Sequence, residues 1–82
     1  MHYVYVLKKP DSSMVYVGYS ANLKQRIAKH SRSANHRGWF LVYYEAYRGG
    51  TDARMRERKL KQYGSSWGSL KKRLPHSMQS RP

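Results

Sequence analysis

VYVGYSANLKQRIAKH, residues 15–30, changes its period in mid-run. With Met14 in front, the stretch 14–19 alternates β-branched and aromatic residues and reads as a strand. From Ser20 onward, Leu23, Ile27 and Ala28 recur at helical spacing, with Ser20 as the expected N-cap. Arg26 and His30, four residues apart, stack on a neighbouring side of that helix.

Working outward, HYVYVLK at 2–8 reads as another strand. Lys9-Pro10-Asp11-Ser12 lies between the two strands and carries proline at the second position of a type I turn. A four-residue loop there places Leu7 against Met14 and Tyr5 directly opposite Tyr16. A one-residue slip would send one tyrosine to the other face. Downstream, the helix is expected to fray at Ser31 to Ser33, and 34–38 is loop. WFLVYYEAY, 39–47, is the longest strand candidate and is too apolar on both faces for an exposed edge. Gly49-Gly50 ends it. Thr51 then caps a second helix, with Asp52 in its first turn, Ala53, Arg56, Leu60 and Tyr63 along it, and Gly64 as its stop. A third helix over 67–74 ends at Pro75, and 75–82 is polar, proline-flanked and expected to be disordered. The order is β-β-α-β-α-α. It makes one α/β domain over 1–74, a small three-stranded antiparallel sheet flanked by helices without doubly wound topology.

Eighty-two residues allow one domain at most, and a chain of this size buries only a little over ~60% of its unfolded surface. There is no cysteine, which excludes disulfides and thiolate metal sites. Seventeen Lys and Arg against four carboxylates give a formal charge of +13, the signature of a polyanion binder. The chain shows neither an amphipathic anchor helix, a lipidation signal nor an apolar run long enough for a membrane span, so nucleic acid is the expected partner, not membrane. With a strand-like opening instead of a leader, the expected compartment is the cytoplasm.

A basic protein that cuts phosphodiesters needs a hard cation, a positioned water and positive charge on the phosphate. Hard cations prefer carboxylate oxygens, and the chain offers only Asp11, Glu45, Asp52 and Glu57. The turn accounts for Asp11 and the helix start for Asp52, which leaves Glu45 and Glu57 with nothing at this point to separate them. Each residue also has a plainer reading. Glu57 precedes Lys61 by four residues, the favourable order for a surface ion pair. Arg26 is one cation among many, His30 is commonly a surface helix residue, and tyrosines are ordinary in strands.

The ordered set changes that balance. Tyr3-Val4-Tyr5, Tyr16-Val17-Gly18, Arg26 ten residues after Tyr16, His30 four further on, and Glu57 on a later helix resemble the signature of the GIY-YIG nuclease superfamily. The likeness runs over about residues 3–74, in particular to the small stand-alone YhbQ-like proteins and more distantly to the UvrC N-terminal nuclease. It implies a metal-dependent endonuclease acting on nucleic acid, DNA in preference to RNA, with Mg²⁺ or Mn²⁺ as cofactor. By this resemblance Tyr16 orients or deprotonates the attacking water, and Tyr5 supports water and phosphate. Arg26 binds the scissile phosphate, His30 assists near it, and Glu57 is the single protein ligand of the metal. Gly18 lets the backbone pass closely at the strand–helix junction. Glu45 becomes structural. Lys24, Arg26, Lys29, Arg37, Arg54 and Lys61 are the expected nucleic-acid contacts.

The sequence departs from the family pattern in three places. Tyr3 replaces the first motif's glycine, Tyr19 stands where UvrC-type enzymes carry a lysine nearby, and no asparagine follows Glu57, Ser69 lying in that region. These departures bear on substrate choice and efficiency. Family members often draw specificity from an extra domain; read as one domain, this chain is expected either to take it from a protein partner or to cut with little selectivity. The rival readings are a binding module that has lost turnover, and a purely structural basic protein.

Overall fold

Strand β1, His2–Lys8, is the middle of the sheet. It pairs antiparallel on one side with β2, Val15–Ser20, and on the other with β3, Phe40–Tyr47. Helix α1, Leu23–Ser31, lies between β2 and β3 in the chain, and α2, Gly50–Lys61, and α3, Ser65–Lys72, follow β3. The computed structural model describes residues 1–79. The element order and the three-stranded antiparallel sheet are as the sequence reading expects.

Alternation divides the sheet into two unlike faces. Val4, Val6 and Val17 point to one side and pack with Ala53 and Leu60 of α2 and Trp67 and Leu70 of α3; this is the core. Tyr43 and Tyr47 of β3 pack against the same cluster. The other face carries Tyr3, Tyr5 and Leu7 beside Tyr16 and Gly18, and meets α1, none of whose residues is buried. The stripe of Leu23, Ile27 and Ala28 is therefore loosely covered, and Ala28 is exposed.

Several local expectations are corrected. The hairpin register differs by two residues: Tyr5 faces Gly18 and Leu7 faces Tyr16. The loop closes at Lys9 and Met14, whose backbone N–H···O bond is 3.0 Å, because Asp11 takes a left-handed φ of 57° that a type I turn lacks. A two-residue shift keeps side chains on their faces, so Tyr5 and Tyr16 still share one. Ser20 does not cap α1. Its hydroxyl forms a turn with Asn22, and the Asn22 side chain accepts from the Gln25 amide at 3.1 Å as the true N-cap.

Strand β3 is an edge after all. Its inner alternate residues pack on α2, and an irregularity between Val6 and Leu7 in the β1–β3 pairing disrupts the ladder near one end. Gly49, not Thr51, stands at the N-cap of α2, while Asp52 does lie in the first turn. The left-handed residue after α2 is Tyr63, φ 53°, and Gly64 instead precedes α3 as its N-cap. Beyond α3 the chain turns so that Met78 packs on the core. Residues 80–82 of the tail expected to be disordered lie outside the described residues.

Candidate active site

The site is organised around a glycine. On the central strand, Tyr5 is completely buried, and its phenol lies over Gly18 of β2. A Cβ at position 18 would fall 2.4 Å from both Cζ and the hydroxyl oxygen of Tyr5 and 2.9 Å from the Tyr16 ring. Only glycine leaves room for both phenols. The close approach is thus made by Tyr5's ring, a more specific reason for Gly18 than backbone passage. Tyr16, diagonal to Tyr5 in the register, has its ring centroid 6.3 Å away.

Helix α1 supplies the next layer. The Tyr5 hydroxyl lies 2.7 Å from Nε2 of His30, whose ring centroid is 5.3 Å from that of Tyr16. Burial, the proximity of Tyr16 and the Glu57 charge hold the Tyr5 phenol well above its ordinary range, with Arg26 opposing them. Burial and the neighbouring His36, Arg26 and Lys29 lower His30 from 6.5. Both shifts favour the neutral forms, so this hydrogen bond joins a neutral phenol to a neutral imidazole. The Tyr16 hydroxyl has no hydrogen-bond partner among the described residues.

Arg26 lies on the same helix, exposed, in a polar pocket with Ser20, Asn22, Gln25, Lys29 and Arg32. Glu57 comes from α2. Its carboxylate pairs with Lys61 at 3.2 Å, and the Lys61 ammonium stands 5.3 Å from the centre of the Tyr16 ring. Tyr5, Tyr16, Arg26, His30 and Glu57, distant in the chain, thus meet in one neighbourhood. Of the expected nucleic-acid contacts, Lys29 and Lys61 border it, Lys24 lines a groove on the other side of α1, and Arg37 is exposed in the loop after α1. Arg54 is elsewhere: its guanidinium stacks 4.1 Å over Tyr19, whose ring packs on the core face of the sheet.

Sequence reasoning missed His36. Its ring lies 4.6 Å from Tyr16, 4.9 Å from His30 and 4.9 Å from Trp39, centroid to centroid. Residue 36 sits in an aperiodic loop, so no spacing pointed to it. A histidine between a helix carrying His30 and an aromatic strand start was the one available signal.

The two open carboxylates are now separated. Glu45 accepts from Arg56 at 3.0 and 3.2 Å, from the Tyr43 hydroxyl at 2.8 Å and from the Tyr47 hydroxyl. Burial pushes its carboxyl up, but these hydrogen bonds prevail and hold it below its usual value. Tyr47, half-buried and bonded to that carboxylate, is pushed up to about 12. Glu45 has no oxygen to spare. Glu57, by contrast, is engaged among the described residues by the Lys61 ammonium alone. The described residues contain no group of three or more acidic, His or Cys side chains placed to hold a metal. A single carboxylate completed by water and phosphate oxygens suits Mg²⁺, which binds proteins in that way. The donor set therefore fits a hard cation at Glu57 and none at Glu45.

Residues 1–73 match the family described as the GIY-YIG catalytic domain. Among curated proteins, the chain is 35% identical to a UPF0213 protein of Staphylococcus haemolyticus over a 68-residue alignment that spans 76% of this chain and 82% of the relative. UPF0213 proteins of Staphylococcus aureus strains Mu50 and N315 match with the same identity and coverage. No solved structure matches. The match over nearly the whole chain, on a fold that gathers both motif tyrosines, the arginine and the glutamate, makes the protein a member of the GIY-YIG nuclease family.

Proposed function

We propose that the protein is a divalent-metal-dependent endonuclease that hydrolyses phosphodiester bonds in nucleic acid, with DNA as its substrate. The observation that carries this reading is the convergence of Tyr5, Tyr16, Arg26, His30 and Glu57 around one buried phenol. The two tyrosines have unlike parts. Tyr5, completely buried and hydrogen-bonded to His30, is held as a neutral phenol by its surroundings. Tyr16, whose hydroxyl has no hydrogen-bond partner among the described residues, takes up the attacking water and orients it toward phosphorus. Arg26 balances charge on the non-bridging oxygens as it builds in the transition state. Glu57 would hold Mg²⁺ or Mn²⁺, which when bound supplies Lewis acidity at the phosphate. Lys61 neutralises Glu57 in the resting site and can turn to a neighbouring phosphate oxygen.

The Glu57–Lys61 pair also favours a second reading, a binding module in which that carboxylate is merely part of a surface pair. One experiment separates the two. Labelled single-stranded, duplex and branched DNA are incubated with wild type, Glu57→Gln and Tyr16→Phe, with and without Mg²⁺. The nuclease reading requires Mg²⁺-dependent cutting by wild type and its loss in both variants. Glu57→Gln should keep its thermal midpoint and bind nucleic acid as well or slightly better, because one negative charge near the phosphate is gone. Binding without cutting in wild type would leave the module.

A further inference from the structure

Beside the site, on the same face of the sheet, an open groove of about 510 Å³ runs between α1 and β3. Its walls are Leu23, Lys24 and Ile27 of α1 against Tyr3 of β1 and Leu41 and Tyr44 of β3. Leu41 is 37% exposed and Tyr44 52%, and α1 buries no residue, so the apolar stripe of this helix is left unfilled by the protein. Tyr3 and Tyr44 meet edge to face at 6.1 Å and form an aromatic corner in the groove.

Tyr44 is the direct cross-strand partner of Tyr5, which puts the groove one side chain away from the catalytic phenol. Arg26 and Ile27 are consecutive on α1, one bordering the phosphate pocket and the other the groove. Asn22, the N-cap of α1, lines both the groove and the pocket of Arg26, so a strand crossing that end of the helix can place a phosphate in one and an adjoining nucleoside in the other.

We infer that this groove receives one unpaired nucleobase of a DNA strand next to the cut phosphate, and that the enzyme acts where DNA is single-stranded. The inference rests on the nuclease reading and names its substrate class. A base in a duplex has its faces covered by its neighbours and cannot enter a groove of this kind; an unpaired base can stack on Tyr44 and Tyr3. Lys24 at the rim and a chain charge of +13 draw the backbone in. The same charge opposes a second copy of the chain as occupant. The mainly apolar walls favour DNA over RNA, because burying a 2′-hydroxyl there would cost an unmade hydrogen bond.

Binding in EDTA keeps the test independent of cleavage. Anisotropy is measured with a labelled single strand, its blunt duplex and an RNA of the same sequence, followed by single strands with one abasic position moved along the chain. Wild type should bind the single strand most tightly and lose affinity sharply for one abasic position. Tyr44→Ala should weaken single-strand binding by about tenfold and leave duplex binding unchanged, and Tyr44→Phe should restore it. Equal affinity for single strand and duplex, equal loss on both in Tyr44→Ala, or RNA bound as tightly as DNA would each overturn the assignment. The abasic scan needs no variant, so a poorly folded Tyr44→Ala cannot shield the inference. Selective single-strand binding by a protein that cuts nothing with Mg²⁺ or Mn²⁺ would refute the nuclease reading and leave the groove's ligand standing.

Discussion

At the level of single residues, the site depends on where one proton resides. His30 can accept from Tyr5 only while neutral, and its surroundings keep it so: burial first, then His36, Arg26 and Lys29, with the Tyr5 and Tyr16 rings closing the other sides. The folded-state pKa is depressed below 6.5, so on acidification the unfolded chain binds its proton at this position first. Stability is then undiminished above about pH 6.5 and falls as pH drops through that value toward the folded pKa. His30→Gln should flatten this acid slope in the thermal midpoint and leave the midpoint above pH 7 little changed. An identical slope in both proteins would mean that His30 is not the titrating group. Resemblance to the family's ordered motifs singled out Tyr5, Tyr16, Arg26, His30 and Glu57, because their order in the chain is itself a pattern. It could not show that Tyr5 lies over Gly18, since that depends on a register set by the φ of Asp11. Nor could it reveal His36, which reaches the cluster through a loop.

Among the elements, what was legible followed periodicity, and what was not followed backbone detail. The three strands and three helices came from alternation and helical spacing. The edge position of β3 did not, because pairing order is a tertiary fact and apolar content misled. Caps were read from residue type, and type was overruled twice: Asn22 replaced Ser20, and Gly49 replaced Thr51. Helix α2 owes its setting to Arg56, whose guanidinium grips Glu45 while the adjacent Glu57 turns to the site. A half-buried pair with partners this specific sets the rotation of the helix, whatever it contributes to net stability. The end of α2 holds a testable strain. Tyr63 adopts φ 53° with its side chain 48% exposed, a conformation that costs a non-glycine residue roughly 1–2 kcal/mol. Glycine there relieves the strain but adds unfolded-state freedom of about 0.5–1 kcal/mol. Tyr63→Gly should therefore stabilise by about 0.5–1 kcal/mol and raise the thermal midpoint by several degrees. A lowered midpoint would show that the ring's own contacts outweigh the strain.

The molecule as a whole divides labour between the two faces of one sheet. Valines, α2 and α3 build the core on one side; tyrosines, α1 and an incompletely filled groove occupy the other. A chain this small has few apolar residues for a second core, and the face left without one is available for chemistry. Composition announced the remaining property, the charge of +13, which spreads far beyond the five residues at the site. Affinity and catalysis should therefore respond to different changes. On the proposed function, binding is carried by many phosphate contacts, each contributing about 0.7–0.9 to the slope of log affinity against log salt, so the loss with added salt should be steep. Arg26→Ala removes at most one such contact, because Lys29, Arg32 and Lys61 still line the approach. Its effect on cleavage should be far larger, because in the proposed mechanism the charge it offsets develops in the transition state beside Tyr5 and Tyr16. The measurement is a pair: the salt slope of binding without metal, and the single-turnover cleavage rate at saturating protein. A slope reduced by about one phosphate with a rate down a hundredfold or more supports a catalytic Arg26. Equal losses in affinity and rate would reduce it to one docking cation among seventeen basic residues.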